Sequence, residues 1–174
     1  MIKKLLLTVA FGFTAITTSS MAQESSNRVA VETDWSVFEE TNPRQCWAVT
    51  VPKETENTKN GKLVEVRRGD IFLYVFFNPD ESKQGLVAFT GGYPFAKGEP
   101  LKLEMDGERY ELATEDDWAW PPTPADDAII VAAMKRGAQA VITGQSGRGT
   151  VTKDTFSLLG FTLAVKEAEK LCSG

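Results

Sequence analysis

The chain has 174 residues, with 24 acidic and 19 basic side chains, a net charge of −5 and no histidine. Without imidazole, Ser-His-Asp and Cys-His catalysis and every His-ligated metal centre are excluded, which leaves carboxylate, lysine, tyrosine or thiol chemistry for any reaction. The acidic balance argues against nucleic acid and anionic membrane as partners, because both are held by clustered Lys and Arg.

The chain opens with Lys3 and Lys4, an apolar run from Leu5 to Ile16 and the small-residue site Ser20-Met21-Ala22. This layout predicts a secretory signal peptide over residues 1–22, cleaved after Ala22. Thr14, Thr17 and Thr18 interrupt the run, which falls short of the roughly 20 apolar residues of a membrane span. No Cys stands near the cleavage site, so no lipoprotein anchor is expected. Removing Lys3 and Lys4 leaves 17 basic against 24 acidic residues, a net charge of −7. The remaining residues suit one domain. Residues 23–32, polar and without periodicity, read as a flexible leader, and 33–174 as a single β-sandwich domain.

Short β-rich segments follow. Asp34–Phe38 places Trp35 and Val37 on one face, and Gln45–Val51 places Cys46, Ala48 and Thr50 on one face with Trp47, Val49 and Val51 on the other. The charged stretch Lys53–Lys62 reads as a solvent loop. Ile71–Asn78, the most apolar run after the signal, reads as a central strand buried on both faces, with "GLVAFTGG" as its partner. Leu101, Leu103 and Met105, the Asp106-Gly107 turn, and Tyr110 and Leu112 form the strongest hairpin signal. "PADDAIIVAAMKRG" predicts a helix over about 125–136, with Asp126 and Asp127 at its positive end, Lys135 and Arg136 at its negative end and Gly137 as a left-handed cap. Two strands around the Gly-rich "TGQSGRG" come next, and a final helix is predicted over about 160–171, capped by Ser157 or Thr155 and seated by Phe156, Leu158 and Phe161. These elements predict a mainly β fold: an antiparallel sandwich or barrel-like domain with two peripheral helices.

The early Asp34-Trp35, Cys46 opening the next strand, the central hydrophobic strand, the "P…G…L" hairpin, the "MKRG" helix end and the closing "FSLLGFTLAVKEAEKL" together resemble the invasion-associated locus B family. The resemblance covers nearly the whole chain after the signal, and its sharpest part is Phe156-Ser157-Leu158-x-Gly160-Phe161 running into the last helix. It implies a small exported bacterial β-sandwich protein and carries over no catalytic residue. Many members have further cysteines in the stretches that read "WSVFEE" and "EDDWAWPP" here.

An exported chain with two distant cysteines favours a Cys46–Cys172 disulfide, with two free buried thiols as the alternative. The loop "TGQSGRG" lacks the following helix that a phosphate-cradling loop needs, so it reads as a hairpin with Arg148 solvated at its tip. "EDDWAWPPTPADD" groups two Trp, three Pro and five carboxylates, and Trp118, Trp120, Asp116 and Asp117 are the candidate binding surface, joined by Tyr93 from "TGGYPF". The competing reading folds Trp118 and Trp120 beneath the loop while the acids cap the helix. A calcium site from Asp116, Asp117, Asp126 and Asp127 would lack the usual Asp-x-Asp-x-Asp-Gly spacing.

The expected function is therefore binding rather than catalysis, by a monomeric periplasmic or secreted protein without metal or cofactor. Its partner would be an envelope or host protein or a glycan. The alternative is an enzyme using carboxylates near Trp118, or a binder of envelope polysaccharide.

Overall fold

The computed structural model describes residues 27–79 and 83–173. The expected signal peptide lies outside them. The described residues form twelve strands and two helices: β1 (Arg28–Glu32), β2 (Trp35–Thr41), β3 (Arg44–Thr50), β4 (Glu54–Lys59), β5 (Lys62–Leu63), β6 (Phe72–Asn78), β7 (Lys83–Thr90), β8 (Leu101–Met105), β9 (Glu108–Glu115), β10 (Trp118–Trp120), α1 (Pro124–Met134), β11 (Gln139–Gln145), β12 (Val151–Ser157) and α2 (Phe161–Cys172).

All pairings are antiparallel, in the order β1-β2-β3-β6-β7-β10-β9-β8-β11-β12-β4-β5. Strand β9 joins the two layers, because its residues 113–115 pair with β10 while 108–112 pair with β8. Period-2 alternation drives the arrangement: Val37, Cys46, Ala48, Leu73, Val75 and Phe89 of one layer and Leu101, Leu103, Ile142 and Phe156 of the other are all essentially inaccessible. Phe89 meets Phe156 edge-on at 6.0 Å across the interior. The result is the mainly β, sandwich-like fold with two helices that the sequence predicts.

Helix α2 lies on the inner side of the first layer. Its Phe161 meets Trp35 edge-on at 4.8 Å, and Cys172 in its last turn is bonded to Cys46 of β3, 126 positions away. Arg44 donates to the Leu171 carbonyl, where a cation meets the negative end of the helix. The Trp35 indole donates to the Ser157 carbonyl at 3.0 Å. Helix α1 starts at the N-cap Thr123, whose hydroxyl accepts from the Asp126 amide. It docks on β7, where buried Asp127 accepts the Val87 amide at 2.8 Å, beyond the two residues of that strand that β10 reaches.

Five sequence expectations are corrected. Residues 28–32 of the expected leader form β1, held by main-chain pairing to β2 that needs no apolar pattern. The expected solvent loop 53–62 contains β4, paired to β12, and the turn into β5 at Asn60 (φ 52°) and Gly61 (φ 73°). Strand β6 is buried on one face only: Leu73, Val75 and Phe77 point inward, while Phe72, Tyr74 and Phe76 are half-buried on an outer face. Helix α1 ends at Met134, short of 136, and Gly137 donates to the Ala133 carbonyl without entering the left-handed region.

Finally, neither Ser157 nor Thr155 caps α2. The N-cap is Gly160, at φ 89°, while the Ser157 hydroxyl accepts from the Leu159 amide. A Cβ at Gly160 would sit 1.9 Å from the Glu32 carbonyl oxygen, so glycine is required both by conformation and by the close approach of β1. Gly160→Ala is expected to lower stability by at least ~2 kcal/mol in thermal or denaturant melts. Gly147→Ala, where a Cβ would meet nothing within 4 Å, should melt like the parent; equal melting of both variants would remove the steric argument.

Candidate functional site

At one end of the sandwich the loop after β7 meets the β11–β12 hairpin. Gly92, at φ 70°, lies so close to Gly69 that a Cβ would come within 2.6 Å of its backbone, and the Gly69 amide donates to the Gly92 carbonyl at 2.9 Å. The Phe95 amide donates to the Asp116 carbonyl (2.8 Å), the Gly91 amide to the Asp117 carbonyl (3.4 Å), and the Ala96 amide to the Gln145 carbonyl (2.8 Å). In the hairpin, the Ser146 amide donates to the Thr150 carbonyl and the Gly149 amide to the Ser146 carbonyl. A strand follows this loop, so it is a hairpin as predicted. Between these fixed backbones lies a cleft of about 250 Å³, with Arg67, Arg68, Tyr93, Ser146, Arg148 and Thr150 among its walls.

The cleft has a neutral floor and a basic rim. Arg68 and Asp154, whose side chains are 7% and 0% exposed, form a two-pronged pair with oxygen distances of 2.7 and 2.6 Å. The Arg68 Nε–H donates to the Gly91 carbonyl at 2.8 Å, and its guanidinium carbon lies 5.1 Å from the Tyr93 ring centre. Tyr93 Oη and Thr152 Oγ1 are 2.6 Å apart. Burial pushes the Tyr93 phenol above its ordinary pKa, opposed by the Thr152 hydrogen bond and the Arg68 charge, so at neutral pH the hydroxyl keeps its proton. Arg67 and Arg148 are exposed at the rim, and among the described residues no Asp or Glu lines the cleft, Asp154 being wholly buried behind Arg68.

A second surface covers the outer face of the first layer. Phe38 of β2 stacks on Trp47 of β3 (5.5 Å, 8°), Trp47 approaches Phe76 of β6 (6.3 Å), Phe76 stacks on Tyr74 (4.9 Å, 17°), and Tyr74 touches Phe72 (5.5 Å) and Trp118 of β10 (5.8 Å). The rings come from four strands and form one unbroken row that passes over β7, which lies between β6 and β10. Trp118 and Trp120 are 37% and 38% exposed, on either side of buried Ala119.

The predicted binding residues thus divide between two surfaces. Trp118 and Trp120 lie on the outer face, while Tyr93 enters the cleft between the layers, where it meets Phe95 edge-on at 5.0 Å. The main-chain carbonyls of Asp116 and Asp117 hold the Tyr93 loop. Among the described residues no three Cys, Asp or Glu side chains gather as metal ligands; Asp126 bonds Thr123 and Asp127 bonds Val87, so the calcium reading lacks its donor set. Sequence reasoning missed the Arg68–Asp154 pair and the outer role of Phe38, Trp47, Phe72, Tyr74 and Phe76. The signal available for the first was a charged residue, Asp154, on the same strand face as Thr152 and Phe156.

Comparison with known proteins agrees with this architecture. The family model described as Invasion associated locus B (IalB) protein matches residues 35–169. The crystal structure of invasion associated protein B from Bartonella henselae is similar in fold, with a TM-score of 0.56 at 16% sequence identity, covering 83% of this chain and 98% of that one. No curated protein matches the sequence.

Proposed function

Since the chain belongs to the invasion-associated locus B family, we propose that it is an exported, non-enzymatic binding protein of the bacterial cell envelope, periplasmic or secreted, whose recognition surface is the aromatic outer face. The observation that carries this reading is the unbroken row from Phe38 to Trp118. Rings that only filled a core would be covered by another layer. These stay partly exposed on a rigid sheet, where stiff aromatic side chains bury area at low entropic cost when a partner docks. Either a sugar ring or an apolar protein face would suit such a row. Among the described residues no helix is long and apolar enough to cross a membrane, which is compatible with export.

The test is cross-linked capture from the envelope followed by Trp fluorescence titration with envelope glycans and peptides. The parent should bind, and Trp118→Ala should weaken binding about tenfold or more, as expected for an aromatic anchor. Because Trp118 is 37% exposed and packs on Tyr74, its removal should also lower the melting temperature by several degrees, so the titrations are made well below both transitions. Asp116→Asn/Asp117→Asn should bind like the parent; loss of a turnover activity in that variant would instead favour a carboxylate enzyme. Unaltered binding by Trp118→Ala would overturn the assignment of this face.

A further inference from the structure

We propose that the cleft between the Tyr93 loop and the β11–β12 hairpin is a second binding site, for a small organic anion carrying a carboxylate or phosphate on a ring-sized body. The charge arrangement carries the inference. Asp154 neutralises Arg68 in the floor, which leaves Arg67 and Arg148 to set the sign of the rim in a chain whose net charge is −5. Guanidinium groups present paired donors that match the oxygens of either anion. The Ser146 and Thr150 side chains add polar lining, although the Ser146 hydroxyl already accepts from the Thr150 amide at 3.2 Å.

The remaining wall suits a ring. Pro94, Val66 and Tyr93 offer apolar surface beside the basic rim, and about 250 Å³ admits a single sugar-sized body rather than a long chain. Both sides of the cleft are fixed before a ligand arrives, by the Gly69–Gly92, Phe95–Asp116 and Ala96–Gln145 backbone bonds. Little ordering cost is therefore left to oppose binding. A phosphate loop would use a helix N-terminus, whereas this site uses side-chain cations above a β-hairpin.

The site can be tested by calorimetric and NMR titration of the whole protein at low salt with glucuronate, glucose 1-phosphate, inorganic phosphate and neutral glucose. At least one of the two organic anions should bind at one site, shift the amides of residues 66–68 and 146–150, and outcompete glucose. High salt should weaken it. Arg67→Gln/Arg148→Gln should melt like the parent and lose roughly tenfold or more in affinity, while Trp118→Ala binds the anion normally. That last comparison separates failure of this site from failure of the aromatic face. No saturable binding by either organic anion, equal binding of glucose or of inorganic phosphate, or full affinity in the double Arg variant would each overturn the proposal.

Discussion

Removal of the Cys46–Cys172 bond, through Cys46→Ala/Cys172→Ala, is expected to cost about 4–5 kcal/mol of stability, from the entropy regained by an unfolded chain freed of so long a loop. For a domain of this size that corresponds to a fall of roughly 10–20 °C in melting temperature. The structural side of the argument points the same way. Both cysteines are buried, and the bond joins the centre of the first layer to the last turn of the helix that covers it. Guanidinium melts of the parent and the double variant, each fitted for midpoint and slope, check the result. A midpoint difference worth less than about 1 kcal/mol would show that the covalent loop contributes little beyond the packing of α2. Alanine is the right replacement, because serine would add two buried hydroxyls without assigned partners.

Asp154→Asn is the second large effect. The Arg68 guanidinium is almost wholly buried, and its compensating charge comes from Asp154, itself fully buried. Breaking one side of such a pair leaves an unbalanced interior charge and typically costs about 3–5 kcal/mol. Arg68→Met alone should also destabilise, because it strands Asp154 and removes the donor to the Gly91 carbonyl. With Asp154→Leu as the matching single change, the double variant Arg68→Met/Asp154→Leu should cost clearly less than Arg68→Met and Asp154→Leu added together, since apolar replacements of similar size can offset a lost ion pair. A complete cycle by urea denaturation measures this coupling. Additive losses would mean that the two groups act independently.

Much of the architecture was legible because it rests on period-2 alternation. Trp35/Val37, Cys46/Ala48/Thr50 and Leu101/Leu103/Met105 each mark one inward face, and the structure places them there. The Asp106-Gly107 turn and the closing helix carry their own local signals. Strands β1 and β4 were illegible for the opposite reason: main-chain pairing to β2 and β12 recruits them, and their side chains are largely exposed. In β6 every residue from Phe72 to Phe77 is apolar or aromatic, so both faces look buried. Which face has a covering layer depends on α2 and on the second layer, elements far away in sequence. The cleft was hidden in a similar way. Arg68 and Asp154 lie 86 positions apart, and only the β12 register turns Asp154 inward to meet its partner.

The position of α2 also has a bearing on how the chain folds. Trp35, Val37, Cys46 and Ala48 belong to early strands, yet the helix that shelters them lies more than a hundred residues later. Contacts at such separation form late and slowly, because a long loop must be closed before they are rewarded. A nascent chain therefore carries a bare, strand-rich apolar face until residues 161–172 arrive. During that interval it is exposed to aggregation and to holding chaperones, and the kinetic hazard is concentrated at the β2–β3 surface rather than spread over the protein.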